Sequence, residues 1–212
     1  MARVVKGIIG LFTGKVGGIV GVIYNGRQII RSRPKKSTVP PSQAQVDQRN
    51  KFREVSQFLK PLRGIQQKFY GNPTPTKTRI HLAMSHHLKE AVENKGREVV
   101  WHYNRVLITK GDMGFAIAVQ AKITSGLLRL HWAAPAKQHL KTGKTDVVNV
   151  VVYCKVNKQF FIGEHVATVS ATLYQVPLPP VFSSSVAVWV FISNHAGTRC
   201  SSSMYVPVER IN

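Results

Sequence analysis

Acidic side chains are scarce in this sequence. Its 212 residues include 9 Asp and Glu against 30 Lys and Arg, which gives a formal net charge of +21. Eight Lys and Arg precede the first acidic residue, Asp47. Like charges at this density oppose compact folding and self-association unless an anionic partner neutralises them. The composition therefore predicts a polyanion as the partner: nucleic acid, an acidic polysaccharide or an anionic membrane surface.

Cysteine and uninterrupted apolar segments are also scarce. Cys154 and Cys200 are the only cysteines, and their spacing matches no metal site. A disulfide between them and two buried free thiols are both open alternatives, although free cysteine is usually buried. The apolar stretch from Met1 to Tyr24 is interrupted by Lys15 and six glycines. We therefore expect neither a secretory signal nor a membrane span.

Motifs for catalysis or cofactor binding are missing. The segment from Gly10 to Val16 is one residue short of a phosphate-binding loop, and Val16 stands where Ser or Thr would hold magnesium. We interpret it as a glycine-rich turn between strands. The His86-His87 pair with Glu90 could suggest a metal site, but the sequence offers no further ligand at usable spacing. No pair of carboxylates stands out as a candidate for acid–base chemistry. The sequence predicts a non-enzymatic protein without cofactor or metal; a hydrolase with a hidden site is the alternative.

The positive charge is concentrated in the first half of the chain. Residues 1–110 contain 21 basic and 5 acidic side chains, whereas residues 111–212 contain 9 and 4. The first half combines glycines, a hairpin signal and helical periodicity, and the second half consists of strand-like runs separated by Gly, Pro and Ser. We therefore predict a basic hairpin–helix domain at 1–110 and a β-sandwich domain at 111–212, joined near Gly111 to Gly114.

A tight β-hairpin is predicted near the N-terminus. Asn25-Gly26 favours a type I′ turn, because both residues tolerate the positive φ that this turn requires. The flanking strands are 16–24 and 27–33, and side-chain alternation determines which residues face each other. The predicted register places Tyr24 opposite Arg27, Val22 opposite Ile29 and Val20 opposite Arg31.

One face of this hairpin is predicted to be basic and the other apolar. The basic face presents Tyr24, Arg27, Arg31 and Arg33, and the other face buries Ile19, Ile23 and Ile30. Residues two apart on a strand lie about 6.5–7 Å apart, which is close to the spacing of phosphates along a nucleic-acid strand. Arginines beside an aromatic ring suit a surface that follows phosphates and stacks a base. A solvated basic strand without a ligand is the alternative.

A helix is predicted after an extended linker at 34–41. Ser42 and Gln45 fit a capping box, in which the Ser side chain meets a free amide and the Gln reaches back to residue 42. Pro61 must kink or split this helix before 71–73 end it. Apolar residues recur at helical spacing, and the basic residues near the opposite side are Arg49, Arg53, Lys60 and Arg63.

A second helix is predicted from Thr78 to Asn94. Its apolar positions recur at helical spacing, and Gly96 is interpreted as its stop. The candidate packing residues are Leu82, Ala83, His86, Leu88, Ala91 and Val92.

The second half is predicted to be a β-sandwich. Seven short runs rich in Val, Ile, Tyr and Trp are separated by turn residues, a pattern typical of immunoglobulin- or fibronectin-III-like domains. The runs are Phe115–Ile123, Leu127–Trp132, Val147–Val156, Phe160–Ile162, His165–Leu173, Val186–Ser193 and Met204–Val208. The aromatics interpreted as core or corner residues, with a sugar-binding surface as the alternative, are Trp132, Tyr174, Trp189 and Tyr205. The predicted fold class is α+β.

Two groups of residues carry a family resemblance. The first comprises Gly14-Lys15-Val16-Gly17, Tyr24, Gly26, Arg31-Ser32, Pro34-Lys35-Lys36, Pro41, Gln45, Gln48-Arg49 and Lys51-Phe52. The second comprises Asp146, 150–153, Ser201, Ser203, Tyr205 and Val206. Over nearly its whole length, the sequence resembles an uncharacterised bacterial family of about this size. The resemblance implies a basic hairpin–helix module ahead of a fibronectin-III-like domain, and it implies no activity and no functional residue.

We predict from these features a structural protein that coats a polyanion. Nucleic acid, and DNA in particular, is the first candidate, bound independently of sequence by a homo-oligomer or filament. The candidate binding residues are Tyr24, Arg27, Arg31, Arg33, Lys35, Lys36, Arg49, Arg53, Lys60 and Arg63. The alternative is an extracellular filament subunit or adhesin that displays a fibronectin-III-like domain. The compartment stays open between the cytoplasm and export without a recognisable signal peptide.

Overall fold

The structure is a computed structural model that describes residues 3–4, 12–24, 26–35, 38–96, 98–114, 118–124, 126–133, 145–183 and 185–210. Helices and several sheets make it a mixed α+β protein, which confirms the predicted class at this level. The chain forms two compact units, Met1–Val46 with Thr74–Thr76 and Asp47–Pro73 with Lys77–Asn212. The predicted junction near Gly111 lies inside the second unit. Independent folding of 1–110 and 111–212 stays a prediction, because compactness and autonomous folding are different properties.

The first unit contains one four-stranded antiparallel sheet. In order across the sheet, its strands are β1 (Arg3–Val4), β2 (Phe12–Val16), β3 (Ile19–Tyr24) and β4 (Arg27–Ser32). β3 and β4 pair in the predicted register, with Tyr24 opposite Arg27, Val22 opposite Ile29 and Val20 opposite Arg31. Gly26 has a φ of 74°, the left-handed conformation that a type I′ turn requires. Asn25 lies outside the described residues.

Two expectations for this sheet are wrong. Residues 12–16 form a strand, and the turn that follows is at Gly17-Gly18, while 10–11 lie outside the described residues. The predicted apolar face is not buried. A single sheet has no second layer of its own to cover its faces. The exposed fractions of Ile19, Ile23 and Ile30 are 41%, 38% and 56%.

In the described part of the chain, three α-helices follow the sheet. They are α1 (Gln43–Leu59), α2 (Arg63–Phe69) and α3 (Arg79–His86). At the start of α1 the Ser42 backbone N–H donates to the Gln45 side-chain oxygen at 3.3 Å, as the capping box predicts. Pro61 separates α1 from α2, as predicted, because proline lacks an N–H and clashes with the preceding turn. The buried residues of these two helices and their junction are Val55, Phe58, Leu59, Leu62, Ile65 and Gln66.

The helix α3 begins where predicted but ends earlier. Thr78 caps it through a capping box. A π-helical turn, His87–Ala91, ends the helix, and the chain continues into the hairpin β5 (Val92–Lys95) and β6 (Glu98–Trp101). The predicted continuation of the helix beyond residue 91 is therefore wrong. Gly96, with a φ of 63°, makes the turn of this hairpin instead of stopping a helix.

Among the described residues, eight further strands form two four-stranded sheets. They are β7 (Val119–Thr124), β8 (Leu127–Trp132), β9 (Val147–Cys154), β10 (Gln159–Thr168), β11 (Leu173–Pro177), β12 (Val186–Ser193), β13 (Met204–Val206) and β14 (Val208–Arg210). The strand orders are β11-β8-β7-β14 and β10-β9-β12-β13, and β14 runs parallel to β7. The run predicted at 160–162 and the first part of the run predicted at 165–173 join into β10, whose register shifts between Gly163 and Ala167. The predicted strand 165–173 is interrupted by a 3-10 turn at Val169–Ala171, and Leu173 already belongs to β11. Residues 115–117 lie outside the described part of the chain.

Two hydrophobic cores lie on opposite faces of the sheet that contains β9 and β12. One core joins the two four-stranded sheets and includes Trp132 and Val188. The other includes Trp189 on β12 together with Val55 and Leu62 from the helical segment. Every residue of β9 and β12 is buried. Burial on both faces explains why these two strands are continuous apolar runs instead of alternating ones.

The structure also decides between the alternatives for the cysteines. Cys154 and Cys200 are both buried, and no disulfide joins them. Burial raises the pKa of the Cys200 thiol to about 11, so this group stays protonated and weakly nucleophilic near neutral pH. In the part of the chain that the structure describes, none of the helices has both the length and the apolar character needed to span a bilayer.

Candidate functional site

The predicted binding residues fall into two sets, one in each compact unit. The first set is Tyr24, Arg27, Arg31, Arg33 and Lys35, and the second is Arg49, Arg53, Lys60 and Arg63. Lys36 lies outside the described residues. All of the described members are exposed, so their charges face solvent in the free protein.

In the first set, the β3–β4 hairpin holds an aromatic ring beside arginines. Tyr24 is directly opposite Arg27, and Val20 is opposite Arg31. Because side chains alternate along a strand, Arg27 and Arg31 lie on the same face as Tyr24, with their Cα atoms about 13 Å apart. Tyr24 is 46% exposed. Neither arginine belongs to an ion pair within the described residues, so both guanidinium groups are available to a ligand.

In the second set, basic residues line the solvent side of α1. Arg49 and Arg53 are one turn apart, an axial rise of about 6 Å. The Arg53 guanidinium donates to the Asn50 side-chain oxygen at 3.2 Å. Glu54, the next residue along the helix, pairs with Lys158 at 3.4 Å. The Glu54 carboxylate is the one nearest to Arg53 in sequence, and its charge is balanced by Lys158. The solvent side of α1 therefore stays basic.

A basic cavity of about 530 Å³ lies in the second unit. The charged residues that line it are Lys68, Arg79, Lys110, Asp112 and Arg199. Arg199 donates to the Asp112 carboxylate at 2.8 Å, so the remaining charge in the wall is positive and suits an anion. The backbone is tightly packed here, because a Cβ on Gly111 would lie 2.0 Å from the Cys200 carbonyl oxygen. This cavity was not predicted from the sequence, because its walls come from segments far apart in the chain.

A second cavity in the same unit, of about 290 Å³, has aromatic walls. Its rings are Phe58 of α1, Trp101 of β6, Tyr103, Tyr153 of β9 and Phe160 of β10. The Phe58 ring centroid lies 4.4 Å from that of Trp101 and 5.0 Å from that of Tyr153. The alternation of Trp101 and Tyr103 is the local feature of the sequence that points to this site. The remaining rings come together only through the fold.

His86 and His87, the histidines considered as metal ligands, lie in environments that do not indicate a metal site. Within the described residues, no group of three or more His, Cys, Asp or Glu could hold a metal ion. His87 is fully buried, and its Nδ1 lies 2.8 Å from the Ala83 carbonyl oxygen. Burial lowers the pKa of His87 to about 4, so the ring is neutral at pH 7 and its Nδ1–H donates this hydrogen bond.

Comparison with known proteins adds a family but no activity. Residues 11–207 match the model of DUF6266, a family of unknown function. No curated protein matches the sequence. Since neither finding assigns a role to any residue, the function has to be inferred from the surfaces and cavities of this chain.

Proposed function

This chain belongs to DUF6266, a family of unknown function, and for it we propose the role of a non-enzymatic structural protein that coats nucleic acid. Binding is independent of base sequence and involves several copies of the chain. The observation that carries the proposal is the basic face of the β3–β4 hairpin, where Arg27 and Arg31 are exposed beside Tyr24.

The charge balance supports an external anionic partner. With 30 Lys and Arg against 9 Asp and Glu, at most 9 cations can pair one to one with carboxylates inside the chain. The described pairs involving Lys or Arg join Lys122 to Glu209, Lys158 to Glu54 and Arg199 to Asp112. The remaining cations repel one another until counterions or a polyanion neutralise them. Phosphates along a nucleic-acid strand supply that charge at regular intervals.

The hairpin also supplies the two interactions that sequence-independent binding uses. Guanidinium groups contact phosphates with parallel N–H donors, and an exposed aromatic ring stacks on any base because every base has a π face. Tyr24 and Arg27 are adjacent across the strands, so one nucleotide can meet both. Lys35 extends the positive charge beyond the end of β4.

We further infer that the second half forms a fibronectin-III-like sandwich. Of the seven strands from β7 to β13, the first, second and fifth (β7, β8 and β11) lie in one sheet. The third, fourth, sixth and seventh (β9, β10, β12 and β13) form the facing sheet. This division supports a Greek-key sandwich of the immunoglobulin and fibronectin-III type. A display or assembly domain of this kind needs no catalytic site.

A second candidate function is a filament subunit or adhesin, exported from the cell, that assembles through its N-terminal sheet. The observation that favours it is the exposed apolar surface of β3 and β4, where Ile29 and Ile30 are 46% and 56% exposed. β4 is also an edge of the sheet as described, and exposed edges pair with strands of other chains. In this case self-association would not require a polyanion.

Titration with labelled DNA at several salt concentrations tests the first candidate. We expect the affinity to fall steeply with salt, and Arg27→Ala and Arg31→Ala each to reduce the slope of log affinity against log salt by about one unit. Tyr24→Ala should weaken binding by about 1–3 kcal/mol with little change in slope, because stacking releases no counterions.

Lys122→Ala is the matched control, because this lysine is already paired with Glu209 at 3.2 Å. It should change the slope less than either arginine variant does. Unchanged affinity for DNA, RNA and heparin after neutralising both arginines would reject the binding role of the hairpin. Assembly that proceeds equally with and without polyanion, measured by light scattering, would then favour the filament candidate.

A further inference from the structure

The rings of the aromatic cavity hold one another in place. Phe58 lies 4.4 Å from Trp101 and 5.1 Å from Phe160, and Tyr153 lies 4.6 Å from Phe160, measured between ring centroids. Tilted and edge-to-face contacts of this kind restrict the orientation of each ring. Because the walls are already ordered, a ligand that enters would lose little affinity to the ordering of side chains.

The size and exposure of the cavity suit one flat ring system. Its volume of about 290 Å³ lies at the lower end of the range for small-molecule pockets, about 300–1,000 Å³. Trp101, Tyr103 and Phe160 are only partly buried, so part of each ring stays accessible. A single aromatic base fits this description better than an extended oligomer does.

The rim of the cavity is positive. The Lys155 ammonium lies 4.8 Å from the centroid of the Tyr103 ring. The Lys158 ammonium lies 3.4 Å from the Glu54 carboxylate. Two ammonium groups against one carboxylate leave a net positive charge, which favours an aromatic ligand that carries negative charge over a cation or a neutral sugar.

A neighbouring cavity connects this rim to the basic side of α1. It shares Glu54, Val99 and Lys158 with the aromatic cavity, and Arg53 and Glu98 also line it. Arg49 lies one turn before Arg53, about 6 Å along the helix axis, which is close to the distance between successive phosphates of a strand. A single-stranded nucleic acid whose phosphates lie along α1 would therefore place its bases at the aromatic cavity.

We propose that the aromatic cavity binds one base of a single-stranded nucleic acid, stacked against Trp101, while Lys155 and Arg53 contact the adjoining phosphates. The inference rests on the proposed function, and it narrows the polyanion to one that carries bases. An acidic polysaccharide satisfies the cationic rim but offers no aromatic ring to the cavity walls.

Tryptophan fluorescence gives a direct test on the full chain. Of its three tryptophans, Trp132 and Trp189 are 0% exposed, whereas Trp101 is partly exposed. We expect an oligothymidine of about 12 nucleotides to quench Trp101 emission and to protect it from acrylamide. An abasic oligomer of equal length, which carries the same phosphates without bases, should bind but leave the emission unchanged.

Variants at the cavity separate stacking from charge. Trp101→Leu should weaken binding of the oligothymidine roughly 5- to 150-fold and bring it to the level of the abasic oligomer, whereas Trp101→Phe should keep most of the difference. Leu173→Ala serves as a control, because it shortens an exposed apolar side chain on β11 and should leave both the binding and the quenching of Trp101 unchanged. Far-UV circular dichroism verifies that each variant folds. Acrylamide protection in the unmodified protein tests the inference even if Trp101→Leu does not fold.

The outcomes distinguish this inference from the proposed function. Equal affinity for the oligothymidine and the abasic oligomer, with unchanged Trp101 emission, would overturn base stacking and leave polyanion binding in place. Quenching of Trp101 emission by heparin but not by the oligothymidine would overturn base stacking and favour a saccharide site. Failure of all three ligands to bind at low salt would reject the proposed function, and this inference with it.

Discussion

Acid sensitivity of the fold is the prediction that the structure specifies most closely, and it depends on His87. The His87 ring is fully buried, and among the described residues its Nε2 has no hydrogen-bond partner. Its Nδ1 lies 2.8 Å from the Ala83 carbonyl oxygen. Burial is the main reason why the pKa of this histidine falls from 6.5 to about 4, and the neighbouring His86 lowers it further. The folded protein therefore resists protonation of a ring that the unfolded chain protonates readily.

The sign and size of the effect follow from linkage. Because the pKa is lower in the folded state, the neutral ring contributes its full stabilisation above about pH 6.5, and this contribution is lost as the pH falls toward 4. Between pH 7 and pH 5 the unfolded chain takes up about 0.7 of a proton at this site and the folded chain about 0.1. The free energy of unfolding should drop by about 2 kcal/mol over this interval, and by about 3 kcal/mol at pH 4.

Urea unfolding at pH 7, 6 and 5, followed by tryptophan emission, measures this loss. In His87→Asn the amide can still donate to the Ala83 carbonyl oxygen but cannot titrate, so about 2 kcal/mol of the decline between pH 7 and pH 5 should disappear. His195→Asn, which removes an exposed histidine, should keep the decline. If His87→Asn and the unmodified protein lose stability equally on acidification, the reasoning about burial is refuted.

Two further predictions concern the sheet of the first unit and the two cores of the second. A Cβ on Gly21 would lie 2.5 Å from the Phe12 ring, so Gly21→Ala should destabilise the N-terminal sheet by about 1–3 kcal/mol, whereas Gly18→Ala, with open space around it, should not. Hydrogen exchange of the β3 and β4 amides measures this, and equal protection in both variants would contradict it. Residues 111–212 expressed alone should fold through the core between the sheets, but with a lower Tm and red-shifted emission, because the helices no longer cover Trp189. If the fragment has the same Tm as the intact chain, the core between the helices and this sheet contributes little to stability.

Local features of the sequence were predicted correctly where a single residue type limits the backbone. Gly26 permits the positive φ that places the hairpin turn and its register, and Pro61 interrupts the helix by its missing N–H. The helix predicted to reach Asn94 was wrong because helical and strand periodicities are hard to separate over a short apolar run. There, pairing of β5 with β6 across Gly96 decided the outcome.

The candidate binding site also has a part that was predictable from the sequence and a part that was not. The exposed arginines were found because charge is a property of composition, and a chain with 30 basic and 9 acidic residues has to expose most of its cations. The aromatic cavity was missed because Phe58, Trp101 and Tyr153 are more than forty residues apart in sequence and meet only in the folded chain. Long-range packing has no local signature, so it is invisible to any window along the sequence.

The excess of positive charge, the hairpin register and the break at Pro61 are predictable without the fold, because each depends on composition or on the covalent chemistry of a few neighbouring residues. Three other features depend on packing between distant segments: Ile19 and Ile30 stay exposed, β9 and β12 are buried on both faces, and rings from α1, β6, β9 and β10 meet in one cavity. The physical reason is that burial depends on which layers pack together, and those contacts join residues that are distant along the chain.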